Sequence, residues 1–171
     1  HTIAKIPTED VLAALAASQV RTLEIIPWLF DADAAGTQRA ALKALLARAP
    51  IRAARIHARH GREFDLSLAD PSAQRAAIVA ALDALRLARD LGAPLVVLHA
   101  SCEPIPAAER RACFARAQSA PPDIAQAAAA QGLRLAVEWL PRTCLGNSAE
   151  ELLHLLDPLP PATVGICLDV N

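Results

Sequence analysis

The sequence holds 171 residues, 54% of them hydrophobic, 20% charged and only 3% aromatic, with a net charge of −1. That is enough apolar material for one sizeable core, and the balanced charge advertises neither a nucleic-acid nor a membrane surface. No long apolar run or signal-peptide pattern is present, and Cys102, Cys113, Cys144 and Cys167 show neither Cys-x-x-Cys spacing nor disulfide-scaffold density, so they read as reduced residues of a cytoplasmic protein.

In chain order, residues 8–18 read as a helix, with Thr8 as cap and Val11, Leu12 and Leu15 on one face. A strand follows over 22–26, closed by Pro27. A helix over about 37–48 carries Leu42, Leu45 and Leu46 at i, i+3, i+4 spacing, and the next strand covers 52–57. The best-marked helix opens with Asp70 as cap and Pro71 in the first position, carries Ile78, Leu82 and Leu85, and ends at Gly92. Pro94 leads into a strand over 95–99. Residues 106–118 read as helix up to Pro121-Pro122, and a short Ala-rich helix stops at Gly132. A strand over 134–138, a helix capped by Asn147 or Ser148 with Glu151 at capping-box spacing, and a strand over 164–169 complete the pattern.

Strands that alternate with helices in this way form a parallel α/β sheet. No Gly-rich phosphate-binding turn follows any strand, as a doubly wound sheet often has. The alternative is a (β/α)8 TIM barrel, which needs roughly 250 residues. On that reading residues 1–171 are one domain present as an incomplete fragment of about five to six strand–helix units, truncated at both ends. His1-Thr2 is then the exit of a first strand, and two further units follow Asn171. These 171 residues alone are expected to be inactive.

A parallel sheet sends all its C-terminal strand ends to one rim, where α/β enzymes place their chemistry. Four of the runs end in His57, His99, Glu138 and Asp169. Two imidazoles and two carboxylates at one rim make a ligand set for a divalent metal. Each residue also has a plainer reading. Glu138 could form a rim salt bridge, Asp169 a cap or turn, and the two histidines could be satisfied core residues. Arg55, Arg59, His60 and Arg62 around His57 read as a solvated edge, or less often as a grip for a substrate phosphate or carboxylate. Glu24, inside its strand, suits a structural salt bridge facing the barrel interior. Trp28 and Trp139, just after strands, are placed for packing or for an aromatic wall against a sugar. Neither Cys144 nor Cys167 has a histidine base nearby in sequence, which makes nucleophilic catalysis a poor reading.

The phrases Leu-Arg-Leu-Ala-Val-Glu138-Trp-Leu-Pro, Asn-Ser-Ala-Glu-Glu-Leu-Leu and Val-Gly-Ile-Cys-Leu-Asp169-Val-Asn resemble the xylose isomerase-like barrel superfamily. The segment ending Leu-Gly-Ala-Pro-Leu-Val-Val-Leu-His99 resembles it too. That group holds sugar phosphate isomerases and epimerases together with abasic-site nucleases of the endonuclease IV type. The resemblance implies a divalent ion (Mn2+, Mg2+, Co2+ or Zn2+) on Glu138 and Asp169, completed by a histidine and a glutamate on later strands. It also implies a sugar or sugar phosphate substrate lined by His57 and His99, to which Trp139, by its place just after a strand, would add an aromatic wall. Glu138 would be one of two carboxylates that move a proton through an enediolate. In the nuclease branch His57 and His99 match zinc ligands. The loop after Glu138 lacks the small Gly-rich turn typical of that branch, and the near-neutral charge argues against gripping a phosphate backbone. Trp139 stands where an asparagine is common in both branches. A dehydratase acting on a keto-inositol or related polyol on the same barrel is a third alternative, and a non-catalytic barrel whose metal site has decayed is a fourth, against which the intact Glu138 and Asp169 weigh. The strand edges of a partial barrel favour association, so a homo-oligomer is a further expectation.

Overall fold

A computed structural model describes residues 2–3 and 5–169; His1 and Asn171, read above as cut ends, lie outside the described residues. Six strands, β1 (Thr2–Ile3), β2 (Thr22–Ile25), β3 (Arg52–His57), β4 (Leu95–Leu98), β5 (Arg134–Glu138) and β6 (Val164–Cys167), form one sheet in chain order, every neighbouring pair parallel. A doubly wound sheet reverses its strand order at a switch point; this one never does, which is the order of a (β/α) barrel. Helices α1 (Glu9–Ala17), α2 (Thr37–Arg48), α3 (Pro71–Leu91), α4 (Arg110–Ser119), α5 (Pro121–Ala130) and α6 (Ala149–Leu156) fill the crossovers.

The register sorts every strand into two faces, because side chains alternate along a strand. Leu23, Ile25, Ile56, Val96, Leu98, Leu135 and Val137 lie on the face covered by helices and are all buried. Glu24, Arg55, His57, Val97, Ala136, Glu138 and Cys167 fall on the opposite face, the concave one of a barrel. An extra residue, Ala54, shifts the β2–β3 register between Leu23 and Glu24, so that Arg55 stands beside Glu24. The two are ion-paired, the structural role the sequence suggested for Glu24.

Helix α3 carries most of the outer layer. Its amphipathic stripe, Ala77, Ile78, Ala81, Ala84, Leu85 and Ala88, is buried, and it packs against β3, β4 and α5. Asp70 accepts from the Ser72 and Ala73 amides at its N-terminus, and Gly92 closes it at φ +70 in the left-handed region. At the far edge the exit of β6 is bare on its outer side: Val164 is buried, but Ile166 is 40% exposed and Leu168, just beyond the strand, 64%. Among the described residues β1 and β6 each pair with one neighbour, so the sheet is an open arc of a barrel.

Some boundaries differ from the sequence reading for local reasons. Residues 106–109 form turns rather than the first turn of α4, and α4 starts at Arg110. Pro27–Phe30, expected only as a strand stop, makes a 3-10 turn with Pro27 in its first position.

Candidate metal and sugar site

Strands β3, β4 and β5 run parallel, with His57 in register with Val97 and Ala136, two residues before His99 and Glu138, so three side chains separated by 42 and then 39 positions in sequence meet at one rim. Glu138 Oε2 lies 2.9 Å from His57 Nε2 and 2.8 Å from His99 Nε2. All three are mostly buried, with side-chain exposures of 12 to 19%. The other ring nitrogen of His57 faces the Ala58 carbonyl at 2.9 Å.

The last contact fixes the chemistry. A neutral His57 can donate only once, and Nδ1–H to a backbone carbonyl leaves Nε2 with a free lone pair aimed at the rim. That is the tautomer a metal-bound histidine adopts. Where Nε2 donates to Glu138 as well, the ring must be an imidazolium. Burial alone would lower the His57 pKa, but the hydrogen bond to Glu138 and then that to the Ala58 carbonyl outweigh it and raise it. Hydrogen bonds from His57 and His99 hold the Glu138 carboxyl far below the usual carboxylate range. The donor set therefore fits a divalent cation: convergent imidazole nitrogens and a carboxylate that stays ionised at neutral pH.

A pH signature follows. The unfolded reference values are about 4.3 for Glu and 6.5 for His. Glu138 is depressed on folding, so its contribution is present above about pH 4.3 and is lost as pH falls through the lower folded value. His57 is raised, so its contribution is present below about pH 6.5 and is lost as pH rises through the higher folded value. In chelator-treated protein, the difference in unfolding free energy between wild type and Glu138→Gln should be widest between those two values and shrink on both sides. Urea titrations across the range check it; a difference that does not vary with pH would show that the pair is not formed.

His60 was not singled out as a ligand from sequence, yet it joins the same rim. Its ring stacks on His99, with centroids 4.6 Å apart and planes at 29°, and meets His57 and Trp28 edge-on at 4.8 and 4.9 Å. Burial, then the charges on His99 and His57, lower its pKa. The available signal was its i+3 offset from a strand-end histidine, easily lost among the neighbouring arginines. Of those, Arg55 pairs with Glu24 and Arg59 with Asp31.

The remaining sequence-designated residues fall as follows. Asp169 lies two positions beyond Cys167, the register partner of Glu138, so alternation places it on the concave face; it is exposed. The Cys167 thiol is raised by burial and by the Glu138 carboxylate, which keeps it protonated. Trp139, one step out of phase with Glu138, packs against the hydrophobic core rather than beside the imidazoles. Trp28 is the aromatic that touches the cluster, through His60.

The loop after β5 is held from three sides. Arg110 donates to both carboxylate oxygens of Glu151, at 3.0 and 2.6 Å, and to the carbonyls of Thr143 and Cys144, at 2.8 and 2.9 Å. Ser101 accepts from the Leu145 amide at 2.8 Å, and Glu151 accepts from the Gly146 amide at 2.8 Å. Gly146 sits at φ +76, where a Cβ would stand 3.0 Å from Leu152 Cδ1. The buried Asp65 ties the loops after β3 and β4 together by accepting from Ser67 and from the Cys102 amide.

Residues 12–171 match the family described as xylose isomerase-like TIM barrel. No curated protein matches the sequence. Solved structures that resemble the chain include D-psicose 3-epimerase from Clostridium cellulolyticum H10, at 21% identity and a TM-score of 0.81 over 96% of this chain and 59% of that one. A D-tagatose 3-epimerase-like protein matches at 19% identity and 0.80, over 95% and 61%. D-allulose 3-epimerase from Methylomonas sp. matches at 22% and 0.77, over 94% and 56%. The likeness at these identities is one of fold, and the chain spans less than two thirds of the length of each of these structures.

Proposed function

The chain belongs to the xylose isomerase-like TIM barrel family, and from that membership we propose that it carries part of the active site of a divalent-metal-dependent sugar or sugar phosphate isomerase or epimerase. One observation carries the reading most: the Glu138 carboxylate held between His57 and His99 at the C-terminal rim of three adjacent strands. The names of the three structural neighbours given above, each an epimerase of a ketose sugar or a protein like one, agree with it. So does the near-neutral charge, which suits a small substrate better than a nucleic-acid backbone.

In this reading Glu138 and Asp169 hold the ion, one of Mn2+, Mg2+, Co2+ or Zn2+. When bound, such an ion polarises a sugar carbonyl and makes the adjacent C–H more acidic. The chain's own residues do the rest. Glu138, kept ionised by its histidine donors, is the base that takes the proton from carbon. His57 and His99 line the sugar pocket while holding Glu138, and the His60–Trp28 pair offers an aromatic side to the pocket. Residues 1–171 belong here to a single barrel domain of which they form a part, in a cytoplasmic protein whose four described cysteines are all free. Among the described residues, no helix is long and apolar enough to cross a membrane.

The test is deuterium wash-in from D2O. The protein carrying this chain is incubated with ketohexoses, ketopentoses and their phosphates, with and without Mn2+ or Co2+, and the carbon-bound hydrogens are followed by NMR. Metal-dependent exchange next to the carbonyl is the expected result. Absence of exchange alongside cleavage of abasic-site DNA would replace the reading with the nuclease alternative.

A further inference from the structure

Three contacts lay the loop after β4 against the loop after β5. Ser101 Oγ accepts from the Leu145 amide at 2.8 Å, and Thr143 Oγ1 accepts from the Ile105 amide at 3.2 Å. Between them, Arg142 Nε donates to both carboxylate oxygens of Glu103, at 2.7 and 2.9 Å. The first loop advances from Ser101 as the second recedes from Leu145, so the two lie antiparallel. One step inward from the Ser101–Leu145 contact, on both loops, stand Cys102 and Cys144.

With the bond lengths on either side included, the Ser101–Leu145 hydrogen bond keeps the Cα atoms of those residues no more than about 7 Å apart. A disulfide spans roughly 4.4–6.8 Å between Cα atoms, so the neighbouring pair stands at the separation a cross-link needs. Both side chains turn toward one place. The Cys102 thiol donates to the Glu103 carbonyl at 3.6 Å. The Cys144 thiol hydrogen-bonds to the Glu103 backbone as well, near enough to Cys102 to feel the charge on that sulfur. The two differ in access. Cys102 is half-buried and lines a cavity of about 290 Å³ bounded by the loops after β3 and β4 and by α4, whereas Cys144 is buried.

We propose that Cys102 and Cys144 form a modification site, a dithiol that a hydroperoxide closes to a disulfide in the native fold, stapling the loop that leaves His99 to the loop that leaves Glu138. The Cys102 sulfur gives up its proton and attacks a peroxide oxygen; the O–O bond breaks, and the departing oxygen leaves as water or an alcohol. The sulfenic acid so formed is displaced by the Cys144 sulfur. The S–S bond forms, and the hydroxyl leaves with the second thiol proton as water. Two thiols thus lose two electrons and the peroxide gains them. Burial raises both thiols, so both are protonated at neutral pH, and closure answers sustained peroxide while an ordinary reducing cytosol keeps the pair open. The site does not rest on the ion or the sugar assigned above.

The test uses the protein carrying this chain, reduced and freed of metal by a chelator. It is treated with hydrogen peroxide, its remaining thiols are alkylated, and its peptides are mapped by mass spectrometry. The expected product joins the Cys102 and Cys144 peptides with the loss of two hydrogens, and dithiothreitol reverses it. The cross-link closes a loop of about 40 residues in the unfolded chain, so oxidation should raise the melting temperature by about 10 °C, a shift absent from Cys144→Ser. Cys113 also lines the cavity, its sulfur accepting from Arg116 at 3.3 Å, and a Cys102–Cys113 bond in place of the expected one would overturn the assignment. Recovery of Cys102 only as sulfinic or sulfonic acid, with Cys144 still a thiol, would overturn it too. The same holds if both thiols survive a dose of peroxide that oxidises them in urea. A cross-link that lowered the melting temperature would mean that the loops must distort to form it, and the staple would not belong to the native fold.

Discussion

Glu138→Gln should cut metal-dependent exchange and turnover by roughly 10²- to 10⁴-fold, the range general-base catalysis commands. The substitution is nearly isosteric, so the cause would be chemical. An amide cannot take a proton from carbon, and its neutral oxygen is a weaker acceptor than the charged Oε2 that now receives both His57 and His99. It also removes the negative charge that raises His57. Divalent-ion affinity should fall together with turnover, because the same carboxylate is assigned to both. The check is exchange into substrate at saturating sugar, paired with metal content by atomic absorption. Wild-type metal content together with wild-type exchange would remove Glu138 from the site; lost exchange with retained metal would leave it as base only.

Leu85→Ala should be the most damaging change outside the rim, costing about 2–5 kcal/mol. Leu85 is 0% exposed in the middle of α3, the helix that covers β3 and β4 and reaches α5. Truncation there removes buried methyl groups and opens a void between elements that the rest of the chain holds in place. Against a total stability of roughly 5–15 kcal/mol this is a large share, and the melting temperature should fall on the order of 10 °C. Val79, on the same helix but 46% exposed, provides the control: Val79→Ala should stay within about 0.5 kcal/mol. Urea midpoints of the two variants make the comparison. Equal losses would mean that α3 is not seated on the sheet as described.

Much of the fold was legible because its signals are local. Asp70-Pro71 and Gly92 mark the ends of α3, and the strands over 52–57 and 134–138 appear with the boundaries the sequence gives them. The strand read as 164–169 pairs only as far as Cys167, since pairing depends on a neighbour that local pattern does not reveal. The convergence of His57, His99 and Glu138 was readable from topology: parallel strands put all their exits on one rim. Their sharing of a single carboxylate oxygen was not, because side-chain torsions decide it. His60 was missed for a related reason: its position depends on where Arg59 is anchored, a contact with Asp31 twenty-eight residues earlier. Trp139 shows the opposite limit. Adjacency to Glu138 in sequence suggested the pocket, but strand alternation sends neighbouring side chains to opposite faces, and Trp139 joins the core.

The identity of spatial and sequential strand order has a consequence for how the cluster is made during synthesis. Domains assemble from the N-terminus at about 5–20 residues per second of elongation. Here every strand from β2 onward docks on the one made just before it, so no segment must wait for a distant partner. His57, His99 and Glu138 are brought together as soon as three successive strands, β3, β4 and β5, have left the ribosome and paired. The nascent chain would then be competent to capture an ion before translation of its last strand is complete, and metal supply during growth could act on folding yield as well as on activity.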